Sequence, residues 1–432
     1  MVEDNKLSTI MECPASYLFS GVDDLSIFQG DGDVLLDAEK LTFLPTSGDP
    51  LLIPYRDIIQ LSRVGYKINI VLVSKEKLTV FNLGFKYEDF FRNISNLNNE
   101  VILKDLLMNE VIHKSGIAAD LVYLDVDKTE KALGQCELRI YETAAVIISS
   151  EGNFIRIPYS DLTQIRVEAY KLILETDYGD SYLLSRMGKE LDTCYKMLND
   201  LIKALSVKTQ LSLQELLPIY DSSVIRKITK LMKDGRAARH MDIDLISPGI
   251  WTELEKKLDT FGMKEEYEYL ASLGHSERMC IGMKRGLMGD LTKEYIWFLI
   301  PIFSADTAKP GNAIAMEATA AEGSGRATYF FKIMEPSIYK NLINQEELQA
   351  VVDKSLKQIN RDLISVNFRR EPIYLTDEQL DSTAYVAYRR AVSKVPSLQE
   401  LRRLFIGRVI HSSLEQWKAS ITQLLESNLN AV

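Results

Sequence analysis

The chain repeats itself. Residues 53–70 read IPYRDIIQLSRVGYKINI, and residues 157–174 read IPYSDLTQIRVEAYKLIL. At a constant offset of 104 residues, Ile53, Pro54, Tyr55, Asp57, Gln60, Tyr66 and Lys67 recur as Ile157, Pro158, Tyr159, Asp161, Gln164, Tyr170 and Lys171. The same offset carries Gly30 onto Gly134 and Gly48 onto Gly152, and it pairs Phe91, Ile94 and Leu97 with Tyr195, Leu198 and Leu201. One ungapped register over about 70 residues marks a single structural unit used twice.

Each copy reads the same way. Val34–Leu44 and Leu138–Ile148 alternate as strands do and lead into glycine turns at Gly48 and Gly152. Ile-Pro-Tyr opens a further strand, where proline is tolerated because a strand start needs no donor. Tyr66–Val73 and Tyr170–Thr176 alternate as half-buried strands, and a short strand follows each (Leu78–Leu83 and Ser181–Leu184). An amphipathic helix closes each copy, with Phe90, Phe91, Ile94 and Leu97 on one face in the first and Leu191, Cys194, Leu198 and Leu201 in the second. The repeated Tyr-Lys pair opens a strand, a place where tyrosine is expected in the core; a contact surface is the alternative.

Antiparallel strands capped by one C-terminal helix describe a small, strongly bent sheet or barrel. This order, with its strand–glycine turn–IPYxD–strand centre, resembles the pleckstrin-homology-like fold, in particular its GRAM and bacterial PH branches, over residues 25–206. The resemblance implies two small β-barrels, each plugged by its C-terminal helix, and it fixes no function because that fold hosts lipid binders, peptide binders and structural modules alike. Lipid-binding members concentrate lysine and arginine on the first hairpin. Residues 33–52 here hold only Lys40 among Asp33, Asp37, Glu39 and Asp49, which argues against phosphoinositide binding.

Charge divides the chain. Residues 1–206 carry 21 Lys and Arg against 32 Asp and Glu; the remainder carries 30 against 29. An acidic first half repels nucleic acid and anionic lipid, so no nucleic-acid partner is expected. No apolar run reaches the roughly 20 residues of a membrane-spanning helix. The polar, acidic N-terminus MVEDNKLSTIMEC is unlike a secretory signal, and the expected location is the cytoplasm. Four scattered cysteines, with no CxxC, point neither to a disulfide framework nor to zinc.

After Leu205 the pattern turns helical. Ser223–Lys233 has Val224, Ile228 and Leu231 on one face and continues into a basic strip of Arg226, Lys230, Lys233, Arg236 and Arg239. These five are the candidate partner-binding residues, suited to an anionic surface on another chain or on this one; a solvated helix face is the bland alternative. Trp251–Phe261 and Met263–Gly274 read as a helical hairpin. From Cys280 to Met334 strands appear: Ile296–Phe303, Ala313–Thr319 and Ala327–Ile333, the last two joined by a Glu-Gly-Ser-Gly turn. Residues 346–432 carry four amphipathic stripes, one of them Leu401, Leu404, Phe405 and Val409, expected to pack as a bundle or on the strands. A subunit interface, and so a homo-oligomer, is the minority reading of those stripes.

Catalytic groups do not cluster. The four histidines stand singly, and there is no GxSxG, GxGxxG or GxxxxGK[ST]. No catalytic, cofactor or metal residues are therefore assigned, and no cofactor is expected. The expectation is an α+β chain: an N-terminal segment (1–24), two PH-like repeats (25–112 and 113–206), and an α+β region (207–432) that is helical over 207–279, β-rich over 280–334 and a helical bundle over 346–432. Its expected role is that of a non-catalytic scaffold binding a protein or peptide. The alternatives are recruitment to lipid or another polyanion through 226–240, and an enzyme with Arg285, Glu317 or Arg326 in a cleft of the second half.

Overall fold

The structure, a computed structural model, describes residues 9–21, 27–105, 110–149, 153–287, 290–304, 311–320, 326–341, 344–382 and 384–430. The chain is of the α+β kind, with curled antiparallel sheets in its N-terminal half and helices gathered in the C-terminal half. It divides into two compact units: Met1–Met108 with Leu375–Lys394, and Asn109–Tyr374 with Val395–Val432.

The first unit holds strands β1 (Met11–Ser20), β2 (Ile27–Leu36), β3 (Lys40–Pro45), β4 (Leu51–Pro54), β5 (Ile58–Val64), β6 (Lys67–Leu72) and β7 (Lys77–Phe81), then helix α1 (Tyr87–Asp105). The sheet order is β4-β3-β2-β1-β7-β6-β5. Its two outermost strands, β4 and β5, are joined only by the single-turn helix Tyr55–Asp57. Three residues span about 10 Å at most, so the sheet curls until its two ends meet at that corner. Pro54 starts the turn at φ −57, an angle its ring imposes anyway. Tyr55 is fully buried there, its N–H donating to Glu39 O (3.1 Å) and its hydroxyl to Asp37 O (2.9 Å). Inside the curl, Val34, Phe43, Ile68, Leu78 and Val80 pack against Phe90 and Ile94 of α1.

The second unit opens with the same order of elements: β8 (Ile112–Leu124), β9 (Glu130–Tyr141), β10 (Ala144–Ser149), β11 (Phe154–Pro158), the turn Tyr159–Asp161, β12 (Leu162–Glu168), β13 (Lys171–Thr176), β14 (Ser181–Ser185) and α2 (Glu190–Leu216). Its sheet order, β11-β10-β9-β8-β14-β13-β12, matches the first strand for strand. The corner bonds recur at the 104-residue offset: Tyr159 N–H to Thr143 O and Tyr159 Oη to Tyr141 O, as well as Asp177 N–H to Asp161 O where the first sheet has Val73 N–H to Asp57 O. In Ile-Pro-Tyr the isoleucine is buried, the proline sets the entry angle and the tyrosine carries the corner bonds in both copies.

Three sequence expectations differ from the structure. Val34–Leu44 is not one strand but the end of β2 and most of β3, broken at Asp37–Glu39 because Glu39 and Asp37 turn their carbonyls to Tyr55. Leu138–Ile148 breaks in the same way, between β9 and β10. Tyr66 and Tyr170 are not core residues. They sit at hairpin tips with φ +61 and +60 and are 80% and 88% exposed.

Helix α2 runs on unbroken past residue 206. After it come α3 (Ser222–Leu231), β15 (Ala238–Arg239), α4 (His240–Asp244), α5 (Ile250–Thr260), α6 (Lys264–Leu273), β16 (Cys280–Leu287), β17 (Asp290–Ile302), β18 (Ala313–Ala320), β19 (Ala327–Lys332), α7 (Pro336–Asn341), α8 (Gln345–Ser365) and α9 (Glu371–Tyr374). The remainder comprises α10 (Asp377–Leu380), α11 (Val386–Lys394), α12 (Pro396–Leu404), β20 (Phe405–Ile410) and α13 (Leu414–Asn430). Strands β15 to β20 form one antiparallel sheet in sequence order. The β-rich stretch is thus extended on both sides, and the stripe ending in Phe405 and Val409 divides into a helix and an edge strand. Residues 346–432 are accordingly not a plain bundle.

From Tyr295 to Ile302, β17 is continuously apolar because both its faces are covered there. Ile296, Phe298 and Ile300 meet α5, α6 and α13, whereas Trp297 lies against Phe368, just beyond α8, at a ring distance of 4.4 Å. Two glycines make room beside that strand. A Cβ on Gly282 would stand 2.5 Å from the Trp297 ring, and one on Gly235, at φ +82, would stand 2.5 Å from Lys284 Cβ.

Candidate functional site

The basic strip begins on α3, capped by Asp221, whose carboxylate accepts from the Ser223 and Val224 N–H groups. Burying Ile225 and Ile228 leaves Arg226, Lys227 and Lys230 in water. The chain then bends through left-handed Asp234 and Gly235 and turns the rest of the strip inward. Lys233 Nζ donates to Leu162 O (3.2 Å), Arg236 pairs with Asp177, and Arg239 bonds Asp242 (2.8 Å) and Asp353 (3.2 Å). Arg236 therefore finds an anionic partner, and Lys233 a backbone carbonyl, within the chain at the corner of the second sheet. Arg226 and Lys230 remain the solvent-facing members.

The docked region is a buried ionic network. Arg361 of α8 reaches Asp180 (2.9 Å) and the Tyr182 hydroxyl (3.1 Å), and Tyr123 also donates to Asp180 (3.2 Å). The guanidinium groups of Arg361 and Arg236 stand 4.6 and 5.5 Å from the Tyr178 ring centre. Asp161 is wholly buried, and burial raises its carboxyl to about 6 against the pull of Arg361 and Arg236. A second cluster lies nearby in sequence: Arg156 binds Glu110 (2.5 Å), Thr143 Oγ1 (3.1 Å) and Ile364 O (3.0 Å). Burial pushes Glu110 upward, but Arg156 and the two donors of Thr143 hold it down at about 2. Such buried pairs tie the second sheet to the helices that follow it.

His411, just after β20, stands between two carboxylates, with Nε2 2.9 Å from Glu317 and Nδ1 3.2 Å from Glu266. Thr328 donates to the other oxygen of Glu317 (2.8 Å). The set has the composition of a hydrolytic triad, but Glu317 and Thr328 are completely buried, so no substrate carbonyl reaches the hydroxyl. The cysteines are buried as well. Desolvation raises all four thiols, Cys136 and Cys280 to about 12, which leaves no thiolate at neutral pH.

The cleft imagined around Arg285, Glu317 and Arg326 does not form on Glu317, which is enclosed, and Arg326 donates to Gly262 O. The side chain of Arg285 and the Glu-Gly-Ser-Gly turn lie outside the described residues, as do positions 288–289 of the Met283–Asp290 stretch. Among those described, no group of three His, Cys, Asp or Glu is arranged to hold a metal ion, and no helix is long and apolar enough to cross a membrane.

Sequence reasoning missed Asp177, Tyr178, Asp180 and Arg361. Arg361 gave one faint signal, a cation between Ile359 and Leu363 on an apolar stripe. The acidic partners gave none, since their meeting depends on the fold.

No family model matches the chain, and no curated protein matches it. Among solved structures it is similar to the C-terminal domain of an unknown protein from Leishmania infantum, at 17% identity over 24% of this chain and 95% of that one, with a TM-score of 0.19. It is also similar to the Spt16D Pob3N heterodimer, at 14% identity over 39% of this chain and 85% of that one, with a TM-score of 0.16.

Proposed function

We propose that this is a non-catalytic interaction protein of the cytoplasm, built on two PH-like modules that descend from one repeated unit and hold a protein or peptide partner at their exposed hairpin tips. One observation carries the reading: Tyr66 and Tyr170 occupy the same left-handed tip position in both sheets and are almost fully exposed. A non-glycine residue there is strained, and although the Tyr66 ring meets Tyr87 of α1 edge-on at 5.6 Å, both tip tyrosines stay largely in water. Both features occur twice. Tyrosine is a common anchor of protein interfaces because its large ring is ordered at small entropic cost. The enclosure of Glu317, Thr328 and the four cysteines supports a role without catalysis.

The test compares the intact protein with its Tyr66→Ala/Tyr170→Ala variant as baits in native lysate. The variant should keep its circular dichroism and melting temperature and lose a stoichiometric protein partner that the wild type retains. Equal retention by both baits contradicts the proposal.

A further inference from the structure

Strand β20 ends the third sheet. On its inner side it pairs with β19, Thr328 opposite Val409 and Phe330 opposite Gly407, and His411 N–H continues that ladder to Arg326 O (3.1 Å). Bonding alternates along an antiparallel strand, so with Gly407, Val409 and His411 turned inward, the N–H and C=O groups of Arg408 and Ile410 point away from β19. Among the described residues, none exchanges a backbone hydrogen bond with these groups. Both residues are exposed, Ile410 to 59%. Two positions apart, they share one face of the strand, whereas Val409 between them is buried on the other.

Arg408 is also held in place by rings. Its guanidinium carbon lies 3.5 Å from the centre of the Tyr374 ring, and Tyr329, its neighbour across the ladder, stands 6.2 Å from Tyr374. Stacking of this kind leaves guanidinium N–H donors available. Among the described residues no acid pairs with Arg408, although Arg369 nearby faces Glu371 (4.0 Å) and Arg403 bonds Glu400 (2.6 Å).

We infer that the outer edge of β20 takes up an extended acidic segment of a partner protein as a further antiparallel strand, with an aliphatic side chain opposite Ile410 and, two residues further on, a carboxylate opposite Arg408. The open backbone groups select an extended chain, because a helix has none to offer them. The unpaired, ring-held arginine selects the acid. A charge on an edge strand deters indiscriminate pairing, and here it also chooses among partners. A second copy of β20 does not supply the complement, since FIGRVI contains no acid and would set two arginines on one edge. The inference goes beyond the hairpin tips and does not depend on them.

The test measures binding of short, labelled, threonine-rich peptides with Val-Thr-Glu, Val-Thr-Gln or Val-Thr-Lys at their centre to the full chain. The Glu peptide should bind at least about tenfold more tightly than the Gln peptide, and the Lys peptide should not bind. Arg408→Glu should reverse that order and favour the Lys peptide. Ile410→Pro removes the outward N–H, spares the bonds to β19, and should weaken the Glu peptide about tenfold or more. Tyr66→Ala should change nothing, which separates this edge from the hairpin tips. Equal affinity for the three peptides, no binding of the Glu peptide to wild type, or an unchanged order in Arg408→Glu overturns the inference. So does a wild-type dimer in sedimentation that Ile410→Pro dissolves, because a second copy then fills the edge. Should Ile410→Pro fail to fold, the reversal in Arg408→Glu decides.

Discussion

Tyr55 and Tyr159 show how one residue holds a corner. Each puts a hydroxyl on a carbonyl eighteen positions upstream, inside a site closed to water. Replacing Tyr159 by Phe removes the donor and leaves Tyr141 O without it. The expected loss is about 1–2 kcal/mol in urea unfolding, and Tyr55→Phe should cost a similar amount in its own unit. His411 belongs to the same scale. Burial lowers its pKa, but contact with Glu317 and the charges of Glu317 and Glu266 outweigh burial and the repulsion from Arg326, so it stands above the ordinary 6.5. A group whose folded pKa exceeds its unfolded one stabilises fully below the unfolded value and loses that contribution as pH rises through the folded one. Wild-type stability should therefore decline as pH rises from about 6.5, beyond any decline in His411→Gln, when the two are compared by urea titration. A difference independent of pH would show that the imidazole does not titrate there. The repeated Ile-Pro-Tyr-x-Asp was legible because its chemistry is local. The exposure of Tyr66 and Tyr170 was misread because a tyrosine beside an alternating strand has the pattern of a core residue. Gly65 ahead of Tyr66 was the available cue to a two-residue hairpin turn, and it was obscured where the second copy has Ala169.

At the scale of elements, α8 joins apolar packing to charge. Its stripe of Leu348, Val352, Leu356, Ile359 and Leu363 is buried, and Arg361 beside it supplies the cation for Asp180. Removing one partner of a buried pair strands the other. Arg361→Ala should cost about 3–5 kcal/mol, whereas Arg226→Ala, on the solvent face of α3, should stay within about 0.5 kcal/mol. Equal and small effects would mean that the network is water-filled. The strand buried on both faces was readable as a continuous apolar run. Strand β20 was not, because Leu401 and Leu404 of α12 lead straight into Phe405 and Val409 at helical spacing. The β-branched and aromatic run around Gly407 was the competing signal. Which acids face Arg236 and Arg361 could not be read at all, since that juxtaposition exists only once the second sheet has curled.

On the scale of the whole molecule, two units with separate cores should unfold as separate events. The three tryptophans, Trp251, Trp297 and Trp417, all lie in the second unit, so their fluorescence reports that unit alone, whereas circular dichroism reports both. Phe90→Ala empties the centre of the first core, at an expected cost of about 3–5 kcal/mol. It should shift the early part of the circular dichroism curve and leave the fluorescence midpoint in place; a common shift would show one cooperative unit. The proposed role has the repeated sheets presenting their hairpin tips to a partner protein. It is tested most directly by placing a photo-crosslinking amino acid at position 66 or 170 in the full chain, with position 49, an exposed turn site, as control. Illumination in native lysate should give a discrete protein adduct from one or both tips and none from the control. No adduct from either tip, or the same adducts from all three positions, would rule out that role for the tips.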